Sequence, residues 1–250
     1  MDIITLVILL IGGLFAGIVN AVVGGGSVIT VPLLVTTGLL PLHLAIGTNR
    51  FAMIFNTGVG AISYHRKMKF NLGLALLLAA VASTGSILGT SIVLQTAEEI
   101  LKYLIAILML IMGGIILYKK KLGLAEKETK STKSNYLIIS VLSFFLGVYG
   151  GFFGAGVSTM FAFMFVSFYG MSFIKSAGIT RFIVSLLSMT AFVVFLINGK
   201  VNFIYGIILS ISLMIGAKIG VDLAVKVGNI WIRRLFIFFV IISSIRLFMI

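Results

Sequence analysis

Apolar residues in this chain neither alternate with polar ones nor recur on a single helix face; they run on in long stretches, interrupted by glycines or by a few charges. Ten such stretches can be delimited: Ile3 to Val23, Val28 to Gly38, His43 to His65, Leu72 to Leu94, Ile100 to Tyr118, Tyr136 to Gly151, Val157 to Gly170, Phe173 to Ile197, Phe203 to Val225 and Ile230 to Met249. Apolar runs of roughly 18 residues or more are long enough to cross a ~30 Å hydrocarbon core as helices. The pattern therefore predicts an all-α, polytopic transmembrane helical bundle. An outer-membrane barrel would need short alternating strands, and the pattern contains none.

Composition agrees: 60% hydrophobic and 10% charged residues leave too little polar surface to cover a soluble globule of 250 residues, which excludes a soluble enzyme. A net charge of +13 would suggest nucleic acid in a soluble protein. Here the excess sits at segment ends and in loops, where Lys and Arg set orientation in the bilayer, so no nucleic-acid partner is implied. The absence of cysteine removes disulfides and thiolate chemistry together. The first twenty residues carry Asp2, have no basic start and run into a glycine break, so they read as a retained membrane segment and not a cleaved signal. The one strongly polar run, KKKLGLAEKETKSTKS, divides the chain into a first repeat (1–118), a basic cytoplasmic linker (119–135) and a second repeat (136–250). The membrane implied is the cell's cytoplasmic membrane.

The two halves match at a nearly constant shift. At 130 residues Phe15, Gly17, Gly24 and Gly26 fall on Phe145, Gly147, Gly154 and Gly156. At 131, Gly47, Arg50 and Phe51 fall on Gly178, Arg181 and Phe182, and Lys69, Asn71, Gly85 and Gly89 fall on Lys200, Asn202, Gly216 and Gly220. Such a register is what an ancestral duplication leaves. Each half then has four main segments, the first two forming a glycine-broken or re-entrant pair. Loop charge orients them: His65 to Lys69 is basic and Gln95 to Glu99 is not, whereas in the second half Lys200 stands alone and the next loop is flanked by Lys218, Lys226, Arg233 and Arg234. Opposite bias in equivalent loops predicts inverted repeats, with eight simple spans in parallel repeats as the alternative. The arms of the second broken pair are expected to be similar in length, those of the first unequal.

Chemistry is expected at two places. The run Gly24-Gly25-Gly26-Ser27 and its counterpart around Gly154, Gly156 and Ser158 break helices and expose backbone N–H groups, which at membrane depth must face protein or a water-filled cavity. A helix starting near Ser27 or Ser158 would also aim its positive dipole end at an anion. Close packing is the competing reading of these glycines, and the preferred one for Gly12-Gly13, Gly113-Gly114, Gly85-Ser86 and Gly216-Ala217. Arg50 and Arg181 each lie several residues inside a long apolar segment with no carboxylate nearby. A planar guanidinium matches an oxyanion with paired hydrogen bonds, and snorkelling to an interface is the competing reading. Thr48, Asn49 and Thr180 beside them could add neutral donors, and Asn20 could cap the first break or line a cavity. Asp222, the one acid inside a segment, is a candidate for coupling to a proton or sodium, unless Lys218 one turn earlier neutralises it. Tyr64, Tyr118, Tyr136 and Trp231 near segment ends read as interfacial anchors, as do His43 and His65. No metal cluster, catalytic triad or phosphate-binding loop is present, which argues against an ATP-driven pump.

In the runs GLFAGIVNAVVGGGSVITVPLL (Gly13 to Leu34), AIGTNRFAMIFNTGVGAISYHR (Ala45 to Arg66), GVYGGFFGAGVSTMF and SAGITRFIVSLLS, the chain resembles the sulfite exporter TauE/SafE family, also called the toluene sulfonate uptake permease superfamily, over nearly its whole length. Gly24, Gly25, Gly26 and Pro32 match the family's glycine pattern, and Thr48, Asn49 and Arg50 its following segment. Ala162 stands where Pro32 does, and Ile179-Thr180 replaces Thr48-Asn49, so the second half departs from a symmetric site. The resemblance implies a secondary transporter of sulfite, organosulfonate, thiosulfate or a related carboxylate, without a bound cofactor, in the bilayer and open to homo-oligomer formation. An anion channel, or a non-transporting scaffold or assembly subunit, is the alternative.

Overall fold

The computed structural model describes residues 3–37, 40–101, 103, 104, 107, 133–171 and 173–227. The central linker, Gly113-Gly114, Tyr118, Trp231 and nearly all of the two segments Ile100 to Tyr118 and Ile230 to Met249 lie outside the described residues. The main helices within them are α1 (Ile3–Val23), α2 (Gly26–Thr36), α3 (Leu42–Lys67), α4 (Leu72–Gln95), α5 (Lys133–Phe152), α6 (Val157–Tyr169), α7 (Phe173–Ile197) and α8 (Phe203–Val227). No strand occurs among the described residues. Hydrocarbon offers no partner for backbone N–H and C=O groups, so a chain this apolar satisfies them within helices.

Among the described residues, four helices, α1, α4, α7 and α8, are both long and apolar enough to cross a membrane. At 26 residues α3 is longer still, but it carries Asn49, Arg50, Asn56 and Thr57, all buried against other helices. Polar groups in a membrane helix face the protein interior for that reason. Asn71 and Asn202 cap α4 and α8 in the same way, each accepting through Oδ1 the backbone N–H three residues on, from Leu74 (3.1 Å) and Tyr205 (3.3 Å).

Packing crosses between the two halves. α1 lies along α8, and α4 along α5, in both cases running parallel, because Gly13, Gly17 and Ala21 meet Ser212, Leu213 and Gly220 in rising order, as Gly85 and Gly89 meet Phe144 and Val148. These seams need glycine. A Cβ added at Gly85 would lie 2.2 Å from the Phe144 carbonyl oxygen, and one at Gly216 would lie 2.2 Å from that of Leu14. At Gly89 and Gly220 the obstacles are the carbonyls of Val148 and Ile18, at 1.9 and 2.7 Å. Each of these contacts maps onto its counterpart at the 130/131 shift.

α3 and α7 pack against each other in the centre and run antiparallel: Gly47 meets Phe195, Phe51 meets Phe192, Gly60 meets Arg181 and Tyr64 meets Gly178. α3 runs parallel to α8, with Thr48 near Gly206, Asn56 bonded to the Leu213 carbonyl and Lys67 paired with Asp222. Lys67, Lys69, Lys175, Lys218 and Lys226 thus gather at one end of the bundle, and His43, Glu98 and Lys200 at the other. The broken pairs are unequal in both halves, 21 against 11 residues and 20 against 13, so the expectation of similar arms in the second pair is corrected.

Candidate functional site

The two glycine breaks meet near the middle of the bundle. Gly24 has a φ of +90°, Gly154 of +77° and Gly156 of +75°, a left-handed conformation that residues with a Cβ avoid. The Gly156 N–H donates to the Gly24 carbonyl (3.2 Å), and a Cβ on Gly24 would come within 2.4 Å of the Ser158 Cβ. Gly25 precedes α2 as its N-cap and Gly156 does the same for α6, neither with a side chain to satisfy the first helical N–H groups.

Around the first break lies a closed network of neutral groups. Asn20 Oδ1 accepts the Gly26 N–H (3.1 Å), while its Nδ2 donates to Asn56 Oδ1, and Asn56 Nδ2 donates to the Leu213 carbonyl (2.8 Å). Asn49 Nδ2 donates to Ser27 Oγ (3.0 Å), and Asn49 Oδ1 accepts from the Thr30 hydroxyl (2.6 Å). Tyr64 is buried, and its hydroxyl donates to the Ala21 carbonyl (3.0 Å), so the reading of Tyr64 as an interfacial anchor is corrected: being near a helix end in sequence does not put it at the surface of a crossed bundle. Asn20 therefore caps the break.

The second break carries the charge. Arg50 and Arg181 are each only 2% exposed, which excludes snorkelling for both. Arg50 reaches across from the first half: its Nη2 donates to the Gly151 carbonyl (3.2 Å), and its Nη1 lies where a Cβ on Gly154 would stand, 2.1 Å away. Thr90 donates to the same carbonyl (3.3 Å). Arg181 Nη1 donates to Ser158 Oγ (3.1 Å), and its stem lies over Gly60. The Nε of both arginines and the Thr180 hydroxyl are buried without a hydrogen-bond partner among the described residues. Tyr149 donates to the Ala155 carbonyl (2.6 Å), tying the loop between α5 and α6.

The structure thus sets Arg50 against Gly151 and Gly154, and Arg181 against Ser158, along the second break, with Gly24 touching Gly156 and Ser158. It separates Thr48, whose hydroxyl accepts the Asn202 N–H (2.9 Å) at the start of α8, and commits Asn20, Asn49, Gly26 and Ser27 to the first network. Asp222 lies at the basic end, half exposed, paired with Lys67 across helices and not with Lys218 on its own helix. Tyr149 and Thr90 were missed by sequence reasoning, since a Tyr or Thr in an apolar segment carries no signal of which carbonyl it will reach.

Buried guanidinium groups without a carboxylate beside them among the described residues, set at helix breaks between helices long and apolar enough to cross a membrane, mark an integral membrane protein with a charged interior site. The model of the sulfite exporter TauE/SafE family matches residues 9–247, and the chain belongs to that family. It is 28% identical over 242 residues to a probable membrane transporter protein, ORF9, of Sinorhizobium sp, covering 97% of this chain and 92% of that protein. A probable membrane transporter protein of Haemophilus influenzae is 29% identical over 229 residues, covering 91% and 88%. YfcA of Escherichia coli, also named a probable membrane transporter protein, is 25% identical over 244 residues, covering 96% and 90%. No solved structure gives a significant match.

Proposed function

We propose that this chain carries a small oxyanion, of the sulfite, organosulfonate, thiosulfate or carboxylate class, across the cytoplasmic membrane by alternating access. The observation that carries the reading is the pair Arg50 and Arg181: both buried and, among the described residues, both with an unpaired Nε and neither beside an acid. An uncompensated buried charge is costly, and an anion with several oxygens is the group that relieves it. Gly154 and Gly156 let the backbone approach closely, and the start of α6 adds N–H groups and a positive dipole end. The substrate would lie against the second break, held by Arg50 from the first half and Arg181 from the second.

Alternating access is the reading that fits the closed state of this site, since both guanidinium groups are buried and an anion would enter only if the packing around them opened. The antiparallel run of α3 against α7, with the matched glycine contacts at the 130/131 shift, supports an inverted-repeat arrangement, in which one half rocks against the other. The end bearing Lys67, Lys69, Lys175 and Lys226 would face the cytoplasm. The test is thermal unfolding of the purified protein with sulfite, thiosulfate, sulfoacetate, sulfate and small carboxylates, since a ligand that binds only the native state raises its stability. Stabilisation by one of these anions, lost in Arg181→Ala, is the expected result; no response to any of them overturns the reading for this substrate class.

A further inference from the structure

We propose that a groove where α3 ends, α4 begins and α7 passes binds one anionic phospholipid, its acyl chain against Ala61, Phe70 and Phe182 and its phosphate on Arg66. The groove has a volume of about 260 Å³, and these residues line it together with Ile62, His65 and Leu72. That volume is below the range of drug-sized ligand sites and suits a stretch of hydrocarbon chain. Its inner wall is aromatic: the rings of His65 and Phe70 meet edge to face at 4.6 Å, and Phe70 and Phe182 lie 6.5 Å apart.

Ile62 and Leu72 at its rim are 57% and 47% exposed. In a chain that crosses the membrane, exposed apolar side chains of this size face lipid, so the groove opens towards the bilayer. Its upper end is the basic end of the bundle. Lys67 is engaged by Asp222, whereas Arg66 is exposed and makes no ion pair or hydrogen bond among the described residues, and Lys69 is exposed three residues on. The buried Nδ1 of His65 has no hydrogen-bond partner there either. An apolar slot capped by an unpaired guanidinium, at the level where lipid headgroups lie, is complementary to a phospholipid phosphate, and most of all to that of a lipid with net negative charge.

The groove also adjoins the seam that holds Arg181. Phe182 follows Arg181 in sequence, and Ala61 follows Gly60, over which the Arg181 stem lies. A chain seated in the groove braces α3 against α7 from the lipid side, directly behind that arginine. Lipid binding itself does not depend on what the protein transports.

The experiment reconstitutes the full chain in nanodiscs of equimolar phosphatidylcholine and phosphatidylglycerol, then counts retained lipids by native mass spectrometry. One phosphatidylglycerol per chain is expected to persist in the wild type. Arg66→Gln, an exposed substitution that leaves the core untouched, is expected to lower its retention about five-fold, the attraction of one surface basic residue. Ala61→Phe, which fills the groove, is expected to lower it as well, whereas Lys200→Gln at the opposite end leaves it unchanged. Equal retention of phosphatidylcholine, unchanged retention in Arg66→Gln, or a dimer mass without lipid, which would place a second copy over the groove, would each overturn the proposal.

Discussion

The backbone amide of Gly156 donates a hydrogen bond of 3.2 Å to the carbonyl oxygen of Gly24, joining the tips of two helix breaks that lie in different halves of the chain. Because Gly24 and Gly156 both have positive φ, the contact depends on residues without a Cβ. It also ties the second break, where the substrate is proposed to lie, to anything that moves the first.

Gly24→Ala is expected to cost more than Gly199→Ala, although both glycines have positive φ. Each substitution pays the left-handed penalty of about 1–2 kcal/mol. At Gly24 the new Cβ would also meet the Ser158 Cβ at 2.4 Å, while at Gly199 nothing lies within 4 Å. Thermal unfolding of the two variants measures the difference, and equal losses would remove the steric role assigned to Gly24.

Arg181→Met is expected to raise the stability of the protein without ligand while abolishing stabilisation by anions. The guanidinium is buried with one hydrogen bond, to Ser158, and no carboxylate beside it among the described residues, so an apolar side chain of similar length removes a desolvation cost. Replacing buried charge by well-packed apolar groups has given gains of about 1–4 kcal/mol elsewhere. Melting curves with and without the stabilising anion decide it: a less stable apo variant would mean that Arg181 is a structural element of the fold.

Cross-linking tests the central helix pair without interference, because the chain has no cysteine of its own. Phe51→Cys with Phe192→Cys is expected to join under a short bismaleimide, the two rings lying 5.2 Å apart, whereas Phe51→Cys with Lys175→Cys is not. The reverse result would make α3 and α7 parallel. Single cysteines at Lys67 and Asn198, both exposed and at opposite ends of the bundle, are expected to be labelled from opposite sides of the membrane.

Gly85→Leu and Gly216→Leu are expected to destabilise to a similar extent, by about 1–3 kcal/mol or more, since each drives a side chain into a backbone carbonyl 2.2 Å from its Cβ. Asp222→Asn is expected to leave anion transport intact, measured as uptake into liposomes, because the carboxylate is exposed at the basic end and away from both buried arginines. Loss of uptake with normal folding would instead support Asp222 as a coupling residue.

Helix limits were legible in the sequence to within a few residues, as at Ile3–Val23 and Phe173–Ile197, because bilayer thickness and glycine breaks act locally along the chain. The packing glycines were legible too, down to Gly85 and Gly216. What could not be read was partnership between distant helices. Asp222 takes Lys67, 155 residues away, in preference to Lys218 one turn away, and Tyr64 turns inward to Ala21. Asn20 and Asn49, legible as polar residues near a break, spend their hydrogen bonds on Gly26, Asn56, Ser27 and Thr30, a closure that only three-dimensional proximity determines. Arg50 and Arg181 stood out for the opposite reason: a charge in an apolar run is anomalous wherever it ends up.

The seam of α1 against α8 sets a timetable for biogenesis. The glycine face of α1 finds its complement only when the ribosome has made some 200 further residues, which at ~5–20 residues per second is roughly 10–40 seconds later. Until then Gly13 and Gly17 lack the partner they have in the folded bundle and are open to any other helix with a small-residue face. Mutations that slow or shorten the last third of the chain would therefore be felt first at its N-terminus, as misassembly or proteolysis of helices whose own sequence is unchanged.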